Sequence, residues 1–228
     1  MPTKTQSVLV TGGAGFIGCA ISGQLVERFG RVVAVDVLHP QVHANRDRPT
    51  GLHPGVDLIV SDITDPATWS TVLAEVQPEV VIHLAAETGT GQSLADSTSH
   101  THANLVGTSQ LMDGLQRSGV LPRRVVLTSS RPVYGEGAWS SESGAVFYPA
   151  QRTLSVLRSG EWDFDGAQPV AMNAQVVRPR PVSIYGVTKA SQEELLRVWS
   201  AAYGVELAVL RLQNVYGAGQ SLSNPYTG

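Results

Sequence analysis

The sequence predicts an α/β fold, a doubly wound parallel sheet with helices on both faces. Three observations carry this expectation. Short β-branched runs alternate with longer helical stretches, the pattern of successive βαβ units. The runs lack apolar–polar alternation, as strands covered on both faces do. The first run leads directly into a glycine-rich turn that opens a helix.

Taken in order, a first strand over 7–11 passes through Thr11-Gly-Gly-Ala-Gly-Phe-Ile-Gly18 into a helix over 15–29. A second strand over 32–36 ends on an acid, Asp36. A third, over 57–60, precedes a helix over 66–77. Pro66 suits the first turn of that helix, where its missing N–H would be unpaired anyway. A strand over 80–84, a helix over 99–118 and a strand over 124–128 repeat the unit. A helix over 184–203 and a strand over 206–212 complete it. The segment 135–181 breaks the rhythm, being rich in Gly, Ser, Pro and Arg with scattered tryptophans. Loops of that length are rare in a compact domain unless they are functional or disordered. It reads either as a surface insertion or, from its place between two candidate catalytic segments, as a substrate-facing element.

Composition narrows the classes. A length of 228 residues supports one full core, or one domain plus part of another, and a net charge of -3 carries no basic excess for nucleic acid. The single cysteine, Cys19, excludes internal disulfides and fits a reducing compartment, so a cytoplasmic location is expected. The apolar run after the N-terminal residues is too short for a secretion signal, and nothing approaches a membrane-spanning length. No His, Cys, Asp and Glu have metal-ligand spacing, so no metal is expected.

The glycine turn carries the first chemistry. Gly12 permits the bend, Gly15 lets backbone approach a pyrophosphate, and Gly18 packs helix against strand. The helix N-terminus then presents free N–H groups to phosphate. Asp36, ending the second strand, suits the adenosine ribose hydroxyls and would repel a 2′-phosphate, which favours NAD over NADP. Together these features make a Rossmann dinucleotide-binding domain the expected architecture. Asp62, followed by Ile63, is either an adenine contact or a cap before Pro66.

Tyr185 and Lys189 are four apart, hence on one helix face. A free phenol with a pKa near 10 is too weak a base at neutral pH, but a neighbouring ammonium and a positive nicotinamide lower that value. Ser130, with Ser129 beside it, ends the fifth strand where parallel sheets place their ligands; Ser130 is the hydroxyl expected to hydrogen-bond the reacting oxygen, the alternative being a Ser/Thr-rich strand end that satisfies its own backbone. His83 lies in a buried strand and reads as structural.

These residues together resemble the extended short-chain dehydrogenase/reductase family of sugar-nucleotide epimerases and dehydratases. The likeness rests on the glycine motif, Asp62-Ile63, His83-Leu-Ala-Ala86, Asn104 with Gly107-Thr108, and Ser129-Ser130 with Val133-Tyr134-Gly135. Tyr185-Gly-Val-Thr-Lys189 and Arg211-Leu-Gln-Asn-Val-Tyr-Gly217 complete it. The resemblance implies that Tyr185 is the acid/base, assisted by Lys189, Ser130 and Ser129. It also implies that Phe16, Ile17, Leu84, Ala85, Ala86 and Asn104 join the cofactor site, and that Thr88, Arg131 and Asn214 contact the nucleotide sugar. It further implies a substrate lobe beginning after about 214 and largely absent from the 1–228 stretch.

Finer likeness points to the dTDP-L-rhamnose 4-epimerase branch, through Leu38-His-Pro-Gln-Val-His43, Glu87-Thr-Gly-Thr-Gly-Gln-Ser93, Ser129-Ser-Arg-Pro-Val-Tyr-Gly-Glu-Gly137 and Gln220-Ser-Leu-Ser-Asn-Pro-Tyr-Thr-Gly228. Dehydratases of the family carry Thr-Asp-Glu where this chain has Ser130-Arg131-Pro132. The implied activity is therefore NAD-dependent epimerisation at carbon 4 of a dTDP-deoxysugar. A 4-ketoreductase, a dehydratase and a non-catalytic dinucleotide-binding protein stand as alternatives. Relatives pair two helices per subunit, which implies a homodimer through the helices bearing Leu111, Leu115, Leu195 and Trp199.

Overall fold

In the computed structural model, residues 6–43 and 45–220 are described. Strand β1 (Ser7–Thr11) leads to helix α1 (Phe16–Arg28), then β2 (Arg31–Asp36), β3 (Val56–Val60), α2 (Pro66–Glu75) and β4 (Val80–His83). Short helices α3 (Gln92–Ala95) and α4 (Ser97–Thr101) follow, then a π turn (His102–Val106) and α5 (Gly107–Ser118). β5 (Arg124–Ser130) runs into a 3₁₀ turn (Arg131–Tyr134). Beyond it lie β6 (Trp139–Ser141), β7 (Val146–Phe147), α6 (Leu154–Arg158) and β8 (Ala167–Pro169), and α7 (Ile184–Tyr203) and β9 (Glu206–Leu212) close the series.

The main sheet is six-stranded and parallel throughout, in the order β3-β2-β1-β4-β5-β9. This is the expected doubly wound order, with its topological switch between β1 and β4. Alternation along β1 sends Leu9 to one face and Val8 and Val10 to the other. Leu9, Val33 and Val35 pack with Trp69 of α2, Leu111 of α5 and Leu196 of α7. Val8, Val10, Val32 and Ala34 pack with Cys19, Leu25 and Val26 of α1. Asp65 caps α2 by accepting the Ala67 N–H at 2.8 Å, which leaves Asp62 out of that role. Ser183 caps α7, and Gly204 ends it in the left-handed conformation.

Three expectations need correction. The helix expected over 99–118 is divided by the π turn, which inserts a residue exactly where Asn104 is buried. The 135–181 segment is ordered structure, with an antiparallel β7-β6-β8 sheet. Its own small core gathers Val133, Tyr134, Ala138 and Val177, with Trp139 edge-on to Phe164. Finally, Leu111 and Leu115 are at 0% and 1% exposure inside the sheet–helix core, so they are not available to a partner. Residues 221–228, which end the last resembling motif, lie outside the described residues. No helix among the described residues is long and apolar enough to cross a membrane.

Candidate active site

A cleft of about 650 Å³ opens at the carboxyl ends of the strands, beside the switch point. Gly12 forms its floor at φ +66°, and a Cβ there would stand 2.7 Å from the Ala85 backbone nitrogen. Gly15 is the N-cap of α1 and brings no side-chain acceptor, so the first-turn N–H groups, from Phe16 and Ile17 onward, are not capped by a side chain. Gly18 has a packing role, since a Cβ there would meet the Gly13 carbonyl oxygen at 2.3 Å. An uncapped helix start beside a glycine floor fits a pyrophosphate.

Asp36 holds this turn together. Its two oxygens accept the Ala14 N–H at 3.0 Å and the Leu38 N–H at 2.9 Å. A carboxylate oxygen has two lone pairs, so each retains one acceptor position, and Asp36 lines the cleft. Leu38 takes a left-handed φ of 52° and turns the chain so that His39, Gln41 and His43 also line it. Gln41 reaches the opposite wall, donating to the Gln92 amide oxygen at 3.1 Å. Asp62, Ile63, Leu84, Ala85 and Ala86 form the adjoining walls.

Thr88, Ser130, Arg131, Asn214 and Tyr185 share the same cleft. Burial pushes the Tyr185 phenol above its ordinary value, and the Ser130 hydroxyl bonded to it works in the opposite direction. Lys189 lies buried behind that wall, one turn further along α7. Burial pulls its ammonium down to about 7, while the Glu193 carboxylate holds it up. His83 is fully buried and held down to about 3, first by burial and then by Lys189, so it is neutral. It bonds the hydroxyls of Thr11 at 2.6 Å and Thr108 at 2.9 Å, tying β4 to β1 and α5.

Two predicted site residues point elsewhere. Ser129 is 3% exposed and donates to Glu193, on the other side of β5 from Ser130. Neighbouring strand residues face opposite ways, so both serines cannot look into one cleft. Asn104 is fully buried and clamps Glu87, accepting its N–H at 2.8 Å and donating to its carbonyl at 3.0 Å. It also donates to the Thr188 hydroxyl at 2.9 Å. It therefore fixes the 87 loop against α7 rather than forming the cleft wall. Among the described residues, the 135–181 segment supplies none of this cleft's lining.

Sequence reasoning missed the pair Glu193 and Arg211, bridged at 2.7 Å with side chains only 11% and 14% exposed. The available signal was Glu193 four residues after Lys189, on the same helix face. It also missed Ser93, whose hydroxyl accepts the Tyr185 N–H at 3.1 Å. Among the described residues, no three or more His, Cys, Asp or Glu stand together so as to hold a metal ion.

Residues 8–227 match the sequence model of the NAD dependent epimerase/dehydratase family. The chain is 52% identical over 223 residues to a dTDP-L-rhamnose 4-epimerase of Burkholderia thailandensis, covering 98% of this chain and 61% of that protein. It is 30% identical to a dTDP-glucose 4,6-dehydratase of Mycolicibacterium smegmatis, covering 92% of this chain and 54% of that one. Among solved structures, a UDP-glucuronic acid 4-epimerase from Bacillus cereus, in complex with UDP-glucuronic acid and NAD, superposes with a TM-score of 0.71 at 25% identity. That match covers 95% of this chain and 59% of the other. The chain thus spans between half and two thirds of the length of each of these relatives.

Proposed function

We propose that this chain, which belongs to the NAD dependent epimerase/dehydratase family, inverts carbon 4 of a nucleotide-linked deoxysugar through a transient 4-keto sugar. The observation that carries this reading is the hydrogen-bonded Ser130–Tyr185 pair, set in the same cleft as the Gly12 floor and Asp36. Bound NAD would supply the acceptor and donor of the hydride. Tyr185 takes the proton from the carbon-4 hydroxyl and later returns one. Ser130 holds that oxygen, and the Lys189 ammonium stabilises the phenolate. Asp36 accepts from the ribose hydroxyls through its remaining lone pairs.

The dTDP-linked substrate is inferred from the 52% identity to a dTDP-L-rhamnose 4-epimerase. Arg131 and Pro132 line the cleft where a dehydratase has an acid pair, which weighs against elimination of water. Epimerisation restores the cofactor each cycle, whereas a 4-ketoreductase would consume NADH. The test incubates the intact protein with dTDP-6-deoxysugars and follows carbon-4 inversion by NMR. Inversion without added NADH is expected; turnover only with stoichiometric NADH would make it a reductase.

A homodimer belongs to the same proposal. α5 and α7 present an apolar face in which Met112, Leu195 and Trp199 are flanked by the exposed Val187, Val198 and Tyr203. Pairing two copies of this face would remove it from water. A cytoplasmic setting goes with the single cysteine and the nucleotide-sugar substrate.

A further inference from the structure

Behind Ser130 and Tyr185 lies a compact polar cluster that does not line the cleft and is largely withdrawn from water. Ser129 of β5 donates its hydroxyl proton to Glu193 of α7. Arg211 of β9 binds the same carboxylate twice, through Nε at 3.0 Å and Nη2 at 2.7 Å. Ser129 and Arg211 are direct register partners in the sheet. The Arg211 guanidinium also lies 4.9 Å over the ring of Tyr134, in the 3₁₀ turn that follows β5. One carboxylate therefore joins α7 to two strands and borders a third element.

The elements so joined are those that carry the reacting groups. Ser130 is the next residue on β5 after Ser129, and Tyr185 and Lys189 precede Glu193 by two turns and one turn on α7. The first turn of α7 already approaches the 3₁₀ turn closely, since a Cβ on Gly186 would lie 2.7 Å from the Pro132 carbonyl oxygen. With so little slack, a shift of α7 along β5 would separate the Ser130 hydroxyl from the phenol.

We infer that Glu193 is a positioning residue for the reaction. By holding Ser129 and Arg211 together, it sets the Ser130–Tyr185 distance and supplies the counter-charge for Lys189. The inference rests on the acid/base reading given above for Tyr185. Burial of a cation is costly without a nearby anion, and Glu193 is the anion that holds the Lys189 ammonium up. The other titratable groups around Lys189 are Tyr185 on its own helix, neutral His83 from β4 and, beyond Glu193, Arg211 from β9.

The test compares Glu193→Gln, Ser129→Ala and Tyr185→Phe in the intact protein. Ser129→Ala removes one hydroxyl and leaves the ion pair in place. It should lower kcat about tenfold, with KM and NAD affinity within about twofold of the parent. Glu193→Gln should lower kcat further and move the basic limb of its pH profile to lower pH, because Lys189 loses its proton earlier. If Glu193→Gln does not fold, Ser129→Ala alone decides. Parental kcat in Ser129→Ala, or an unmoved pH profile in a folded Glu193→Gln, would overturn the inference. Tyr185→Phe separates the two ideas. If it retains turnover, the acid/base reading fails; if it is inactive while the other two behave as parent, only the positioning role fails.

Discussion

Asp36 holds Ala14 in place, accepting its backbone N–H at 3.0 Å across the mouth of the glycine turn. The residue proposed to read the ribose thus also shapes the glycine turn. NAD should bind more tightly than NADP, because a 2′-phosphate would meet the carboxylate directly. Asp36→Ala should narrow that preference and also weaken NAD binding, by about 1.5–3 kcal/mol for the charge-assisted bond to the ribose that it removes. Isothermal calorimetry with both dinucleotides checks this, and equal NADP binding by the parent would refute it.

Tyr185→Phe keeps the ring and its edge contact with His100, whose centroid lies 6.4 Å away. It removes only the proton-carrying oxygen. Turnover should fall about a hundred- to ten-thousandfold while NAD affinity stays near that of the parent. Single-turnover kinetics beside a binding titration would separate chemistry from cofactor loss. A variant that kept most of its turnover would show that another group is the base.

His83 makes stability depend on pH. Its folded pKa of about 3 lies below the ordinary 6.5, so the unfolded chain takes up a proton that the folded one refuses. Stability should therefore fall as pH drops from about 6.5 towards 3, by an amount on the order of 5 kcal/mol in full. Melting points of the parent and His83→Gln should diverge in slope between pH 5 and 6.5, where carboxylates contribute little. Parallel curves would remove His83 as the cause.

Val198 is 58% exposed on the apolar face of α7. Val198→Arg should turn a dimer into a monomer while leaving the fold of each subunit intact, since the side chain is not part of the core. Light scattering at micromolar concentration gives the mass. A parent that is already monomeric there would refute the pairing.

Much of this molecule was determined locally. The β1 turn, Asp36 at the end of β2, and Tyr185 with Lys189 on one face of α7 were all readable, because period-two strands, four-residue helix spacing and glycine turns are short-range properties. What the tertiary structure decided was which way each polar group faces. Ser129 and Ser130 are neighbours in the chain, yet packing of α7 and β9 behind β5 gives one to Glu193 and the other to the cleft. Asn104 was sent to Glu87 and Thr188 by a π turn that no local pattern announced. Segment 135–181 found its own antiparallel partners and left the cleft to others. Each of these outcomes depends on groups far apart in sequence meeting where water is excluded, so that every buried donor and acceptor must find whatever partner the closed fold brings to it.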